Sequence, residues 1–411
     1  MRSMAGATKP NRGALLARLH HSGDQKVTFV ELFFDLVFVF AITQVTKYVV
    51  DDLSWDGAAE ALLLFWMIWW AWTQFTWALN PADTTHGAVR IVTLVATAVG
   101  FLIAVNVPGA YDESGLWFAV PYVVVRLLGL GIYTAAAAGE GQRRAVRAFA
   151  AWSIVPMMLV IVGGLLETPA RAWVWLAAVL LDIVAAGQAG RLEGWDLRPG
   201  HFAERHGLFV IIALGESLIV AGQSVLATES SSLLITVALG AVAVTCLMWW
   251  LYFGWWQEAI EDQLAMRRGQ ARTAFARDVY SFLHFVVIAG VIAIAAGIEE
   301  MVLHPDEPLP PVVRVALAAG LVLYLGATDA GWWRATGRLL PGRTIVGIIL
   351  AIAVAILELP ALPEIGVVAT GLALVTIIEV IRRPAHSVSE TAELVDQAGT
   401  SSSRAVRPQD G

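Results

Sequence analysis

The residues from Val30 to Ala41, VELFFDLVFVFA, set two carboxylates, Glu31 and Asp35, one helical turn apart inside an apolar run. Extended to Val27–Val50, that run is long enough to cross a hydrocarbon layer of roughly 30 Å as a helix. A carboxylate at that depth has to be protonated, paired or wetted. The fold must therefore offer a polar interior within an apolar shell. A second run, ERHGLFVIIALGESL from Glu204 to Leu218, places Glu216 near the middle of its own apolar helix and imposes the same demand.

Composition extends the point to the whole chain. Its 411 residues are 58% hydrophobic and only 15% charged, against roughly 25% charged in soluble domains. Apolar stretches recur along the length and predict about twelve spans, at Val27–Val50, Gly57–Leu79, Val89–Val107, Leu116–Ala138, Ala148–Leu166, Ala172–Gly190, His206–Ala227, Leu233–Gly254, Val279–Ile298, Val313–Ala330, Ile345–Leu359 and Ile365–Ile381. The expected fold is an all-α, polytopic integral membrane helix bundle. Its first membrane half covers 27–190, a cytoplasmic linker 191–205 and the second half 206–382. Residues 1–26 read as a cytoplasmic segment without a cleavable signal peptide. Residues 383–411, rich in Ser, Thr, Glu, Gln and Gly, read as a disordered cytoplasmic tail.

Lys and Arg placement orients the bundle, because loops kept in the cytoplasm retain positive charge. With the N-terminus inside, 23 of the 27 basic residues fall on the cytoplasmic side, Lys47, Arg171 and Arg314 on the other, and Arg126 within a span. Both termini are thus expected in the cytoplasm, with the chain in the plasma membrane. The outer loops are short and acidic, as at Asp51-Asp52 and Asp112-Glu113, so the net charge of −7 says little about partners. Cys246, the single cysteine, has no partner in the chain and reads as a small buried hydrophobe. Tryptophans near span ends suit an interfacial belt, but Trp69 and Trp70 lie deeper and read as packing.

The two charged runs also align with each other, Leu36 on Leu208, Ala41 on Ala213 and Gln44 on Glu216, and the following helices align Trp69-Trp70 with Trp249-Trp250 and Trp72 with Tyr252. Six spans per half would make two six-helix parallel repeats.

Helical spacing puts Glu31, Asp35, Ile42 and Thr46 on one face. Asp35, roughly 12 Å beyond Val27, is too short to reach water and requires an internal partner, whereas Glu31 reads as reaching headgroup water. Glu216 lies roughly 18 Å along its helix from Glu204, near the midplane, and is the first choice for a proton-coupled or substrate-binding group. Arg126, mid-span in VVVRLL, is the obvious counter-charge, either as a structural clamp or for an anionic substrate. Asp182 is a further deep acid, while Asp329 and Glu379 lie nearer span ends and stand outside the polar set. Arg90 and Arg205 sit where snorkelling accounts for them. His206 and His284 could relay protons, though a lone histidine in an apolar helix is more often a hydrogen-bonded structural residue. The candidate substrate or proton site is Asp35, Glu216, Arg126, Asp182, Glu31, Gln44 and His206.

No P-loop, His-Glu-x-x-His helix or Gly-x-Ser-x-Gly elbow occurs, so neither an enzyme nor a metal or nucleotide cofactor is expected. The basic segments point to lipid headgroups rather than nucleic acid. VELFFDLVFVFAITQ (Val30–Gln44) and AERHGLFVIIALGESLI (Ala203–Ile219) resemble the bacterial low temperature requirement A family, a likeness running from Val27 to about Arg382 and including Tyr122–Arg126. The resemblance implies a multi-pass membrane protein associated with growth at low temperature and supplies no substrate. Phe33-Phe34-Asp35 is also faintly similar to the Phe-Ser-Asp opening of a family of lysosomal and prokaryotic potassium channels. The expected function is a proton-coupled secondary transporter of an unidentified small solute or ion, with Asp35, Arg126, Asp182 and Glu216 lining one central polar site. A cation channel and a non-transporting membrane sensor or accessory protein in stress adaptation are the alternatives. A homo-oligomer is left open.

Overall fold

A backbone in lipid must satisfy its hydrogen bonds internally, and a chain of apolar stretches of this length does so by forming helices. The computed structural model describes residues 19, 20, 23, 25–51, 54–192, 194–227 and 231–382. The expected N-terminal segment falls mostly, and the expected disordered tail wholly, outside the described residues. The helices are α1 (Phe29–Asp51), α2 (Trp55–Leu79), α3 (Gly87–Val105), α4 (Gly115–Ala136), α5 (Gly139–Gly164), α6 (Ala170–Ala189), α7 (Pro199–Ala227), α8 (Ser232–Phe253), α9 (Trp256–Met266) and α10 (Gly269–Phe275). A π-helical turn, Ala276–Leu283, then leads into α11 (His284–Leu303), followed by α12 (Pro311–Thr336), α13 (Pro341–Ile356) and α14 (Ala361–Arg382). Among the described residues there is no strand, only isolated bridges such as His20 to Ala82.

Each expected span has its helix, and α9 and α10 are additional short helices between the eighth and ninth. Among the described residues, ten segments are long and apolar enough to cross a membrane. The other two expected spans are α2, which has 25 residues and is rich in Trp, and α13, which has only 16. The boundary that matters most is that of α7, which begins at Pro199, two turns before the span expected from His206. Side-chain caps start several helices: Ser54 accepts from Gly57 N (2.9 Å), and Ser231 from Leu234 N (3.0 Å). Gly337, with φ 74°, ends α12 in the left-handed conformation that glycine adopts without strain.

Helix α1 packs on α2, α3, α7 and α11. Of the ten segments, it and the stretch containing α11 are the most enclosed, 56% and 61% buried against 28% for α14, and α2 has 16 of its 25 residues buried, so these three form the centre of the bundle. Close approach rather than side-chain bulk joins α11 to α12. A Cβ on Gly290 would stand 2.8 Å from the Gly320 carbonyl, and one on Gly320 2.9 Å from Ala293 Cβ. Small residues at a crossing are what a lipid environment favours, since lipid gives no hydrophobic drive for helices to associate. Trp69 and Trp70 are buried as packing residues, whereas Trp249 and Trp250 are 42% and 45% exposed. Cys246 is exposed on α8 rather than buried, because the outer surface of such a bundle is itself apolar.

The α11–α12 contact makes a prediction about two glycines of α12. Gly320→Ala is expected to destabilise the protein by about 1–3 kcal/mol through overpacking. Gly326→Ala, with nothing within 4 Å of its Cβ, is expected to be neutral or to gain roughly 0.5–1 kcal/mol from helix propensity. Thermal unfolding in detergent reads both.

Candidate functional site

Asp35 receives its internal partner from α7. Arg205 donates from Nη2 to Asp35 Oδ1 and from Nε to Oδ2 (3.4 Å), and its Nη1 stands 3.6 Å from Glu31 Oε1. Trp72 of α2 donates to Asp35 Oδ1 at 2.7 Å. One turn earlier, Glu31 Oε2 accepts from the N–H and hydroxyl of Thr28 (2.9 and 2.8 Å), while its Oε1 lies 2.9 Å from His201 Nε2. All four ionisable side chains are sealed from solvent, at 0% side-chain exposure. Two carboxylates therefore face one guanidinium, with the His201 ring beside Glu31. His201 is held in turn by Asn80, whose amide bridges it and both the N–H and carbonyl of Arg198. This network corrects two expectations. Glu31 does not reach headgroup water, and Arg205 does not snorkel; with α7 beginning at Pro199, Arg205 lies well inside the bundle.

Arg126, expected as the counter-charge among the deep acids, pairs with one of them. It forms a two-pronged pair with Asp182 of α6, Nη1 to Oδ2 at 2.6 Å and Nη2 to Oδ1 at 2.8 Å. Its Nε donates to Gln74 Oε1 (2.8 Å), and Nη1 also reaches the Tyr122 hydroxyl (3.1 Å). These acceptors take four of the five N–H groups of the planar fork, and the residue is buried to 1% exposure. It joins α4, α6 and α2 without contacting Glu216, so the arrangement is that of a clamp.

Glu216 stands apart from both networks. It lines a small cleft between α1, α7 and α11, with Thr43, Thr46 and Ser217 among its neighbours. The space open to the centre of a water there is about 20 Å³, enough for one or two waters at roughly 10–15 Å³ each. Each neighbouring hydroxyl spends its proton on its own helix: Thr43 on Val39 O (3.2 Å), Thr46 on Ile42 O (3.4 Å) and Ser217 on Ala213 O (3.1 Å). The hydroxyl oxygens keep lone pairs for the cleft, which thus presents acceptors and a carboxylate, a set suited to a proton or a cation. Gln44 is half-buried on α1 and is not among the residues lining this cleft. The single central site is accordingly corrected to three places: the Asp35 network, the Arg126–Asp182 clamp and the Glu216 cleft.

His206 is a packed structural residue. Its Nδ1 lies 2.8 Å from the Phe202 carbonyl, and its ring meets Trp72 edge-on at 5.0 Å and His284 at 5.3 Å. His284 faces the Val279 carbonyl with Nδ1 (2.9 Å) and the Tyr252 hydroxyl with Nε2 (2.6 Å). A further buried ion pair lies on the far side: Arg343 donates to Glu379 at 2.5 and 3.0 Å and to the Leu251 carbonyl at 2.6 Å. Asp329 accepts from Leu340 N at 2.6 Å and from the Thr344 hydroxyl. Both acids therefore belong to buried polar contacts, although they were expected outside such a set. Arg205, His201, Trp72, Gln74 and Arg343 were the residues the sequence did not single out as partners. No cluster of metal-ligating side chains occurs among the described residues.

The clamp assignment is testable. Arg126→Met leaves Asp182 buried against an apolar chain and is expected to cost about 3–5 kcal/mol. Adding Asp182→Leu is expected to return most of that loss in detergent unfolding measurements. A double variant as unstable as the single one would overturn the assignment.

Comparison with known proteins fits this architecture. The chain is 30% identical over 346 residues to the uncharacterized protein RA0937 of Rhizobium meliloti (strain 1021), covering 81% of this chain and 83% of that protein. No solved structure matches. The model of the bacterial low temperature requirement A protein family (LtrA) matches residues 26–380, which include the Asp35 network, the clamp and the Glu216 cleft. The chain belongs to the bacterial low temperature requirement A family.

Proposed function

We propose that this protein is a proton-coupled secondary transporter of a small solute, working along the seam between α1, α7 and α11, with Glu216 as the carboxylate that takes up and releases the proton. The observation that carries this reading is the contrast between two levels of one seam. Asp35 and Glu31 on α1 are locked to Arg205 and His201 on α7. Further along the same helices, Glu216 faces a cleft lined by hydroxyl oxygens with lone pairs free. A carboxylate in such a cleft can exchange a proton with whichever side the seam opens to, which is the requirement of alternating access. The basic residues that favour a cytoplasmic N-terminus put the ion network toward the cytoplasm and the cleft toward the outer half. Transport then requires the α1–α7 ion contacts to part when the outer end closes.

Residence in the cell membrane with both termini cytoplasmic, and a part in adaptation to cold, go with this proposal. The clamp takes no part in proton exchange. Both Asp182 oxygens accept from Arg126, and this favours a structural account of the first half's polar core.

Proteoliposomes with a trapped pH dye, an imposed gradient and a panel of small solutes and monovalent cations test the reading. Proton movement that depends on one solute and is abolished in Glu216→Gln is the expected result. Solute-independent cation flux points instead to a channel. A panel without flux in either protein, both shown to be folded, sinks the transport reading.

A further inference from the structure

A groove opens on the flank of the bundle between α6, α10 and the π-helical turn, with about 600 Å³ of space open to water centres. Small residues leave that room, Gly187 and Gly190 from α6 and its end, Ala271 and Ala274 from α10. A Cβ on Gly187 would meet nothing within 4 Å, so the space beside it is empty of protein. One end of the groove is apolar, at Ile183, which is 37% exposed, and Phe282. The other end is polar, at Arg191, Gln270 and Arg277. Ile183 lies roughly 10 Å along α6 from Gly190. The groove therefore runs from the level of the helix ends into the depth of the hydrocarbon layer.

Its polar end carries excess positive charge on groups open to the surface. Arg191 is exposed, and its guanidinium has no partner among the described residues. Its carbonyl accepts from Gln270 Nε2 (3.1 Å), which ties the chain after α6 to α10 at the head of the groove. Arg277, with its side chain 24% exposed, rests Nε and Nη2 on Asp278 Oδ1 (2.9 and 2.6 Å), while Asp278 Oδ2 takes Arg334 Nε (3.1 Å). One carboxylate between two guanidiniums leaves one positive charge, and Arg191 adds a second. Arg277 Nη1 makes no hydrogen bond and lies over Gly190, where a Cβ would fall 2.7 Å from it. No Asp or Glu is among the described lining residues. Other arginines at this end of the bundle are already engaged: Arg143 and Arg147 stand beside Glu140 (3.8 and 3.9 Å), and Arg272 bonds the carbonyls of Arg267, Leu197 and Ala265.

Guanidiniums at the level of the helix ends, above an apolar trough, match a molecule with an anionic head and an apolar tail. A soluble anion would leave the trough unfilled, and a zwitterionic lipid would bring an ammonium group to two positive charges. We infer that this groove binds an anionic phospholipid, with its phosphate at Arg191 and Arg277 and the upper part of an acyl chain along Gly187, Ala274 and Phe282. Binding depends neither on the transport proposed for the α1–α7 seam nor on which leaflet faces the cytoplasm.

Native mass spectrometry of the purified full-length protein in detergent, titrated with dioleoylphosphatidylglycerol, dioleoylphosphatidylcholine and glycerol 3-phosphate, tests this. One saturable phosphatidylglycerol is expected, bound at least about tenfold more tightly than phosphatidylcholine, with no glycerol 3-phosphate retained. Arg191→Gln is expected to weaken phosphatidylglycerol about fivefold and to leave phosphatidylcholine unchanged. Arg144→Gln, at an exposed arginine outside the groove, is expected to change neither. Gly187→Leu fills the trough and is expected to weaken phosphatidylglycerol at least about tenfold without lowering the unfolding temperature. Equal affinity for the two lipids overturns the inference, as does glycerol 3-phosphate bound as tightly as phosphatidylglycerol. So does phosphatidylglycerol affinity unaltered in Arg191→Gln, or weakened as much in Arg144→Gln. Arg191→Gln, at an exposed side chain without bonds to lose, decides the matter should Gly187→Leu fail to fold.

Discussion

Arg205 is the charge around which the centre of the bundle is organised. Taking a guanidinium and two carboxylates out of water is expensive, and the cost is met only where geometry and additional hydrogen bonds are good. Here Arg205 bonds Asp35 and approaches Glu31, Trp72 completes Asp35, and Thr28 with His201 completes Glu31. Removing Arg205 would leave two buried carboxylates without a counter-charge, and the bonds it makes with Asp35, beside that of Trp72, tie α1, α2 and α7 to one relative position at that level. Eleven residues along α7, no such tie exists at Glu216. The seam is rigid at one level and unpaired at the other.

Buried charge recurs with the same logic elsewhere. Arg126 joins α4 to α6, and Arg343 joins α13 to α14 and to a carbonyl of α8. Arginine suits each place because its planar fork can satisfy several acceptors at once without being neutralised. Helices in lipid gain little from hydrophobic contact with one another. Ion pairs of this kind, with close contacts such as Gly290 against Gly320, supply the specificity of helix pairing that apolar burial supplies in a soluble core.

Much of this was legible in the sequence, and the exceptions have physical causes. Apolar stretch length located twelve helices, since lipid thickness fixes that length. The need for polar partners at Asp35, Arg126 and Asp182 was legible too, because depth in an apolar run is a local property. Which charge meets which is a tertiary property and was not: nothing local to Arg126 tells that it meets Asp182 rather than Glu216. Arg205 was misjudged through a boundary. Hydropathy fades at the polar residues Glu204-Arg205-His206, so the span was started at His206, while hydrogen bonding carries α7 back to Pro199. Cys246 failed for another reason, since apolar character signals burial in water but exposure is equally apolar in lipid. The π-helical turn has no local sequence signal among these residues, although its carbonyls and hydroxyl at Ser281 receive the N–H groups of Trp69 and Trp77.

The short helix α13 has a consequence for the membrane around it. Its 16 residues span about 24 Å at 1.5 Å per residue, roughly 6 Å less than a typical hydrocarbon core. Arg343 near its start is anchored inward to Glu379 and the Leu251 carbonyl, so the helix cannot slide or tilt freely to hide the deficit. Beside α13 the bilayer must thin, or headgroups must dip toward its ends. That face of the protein is therefore where the fit between bundle and bilayer is poorest.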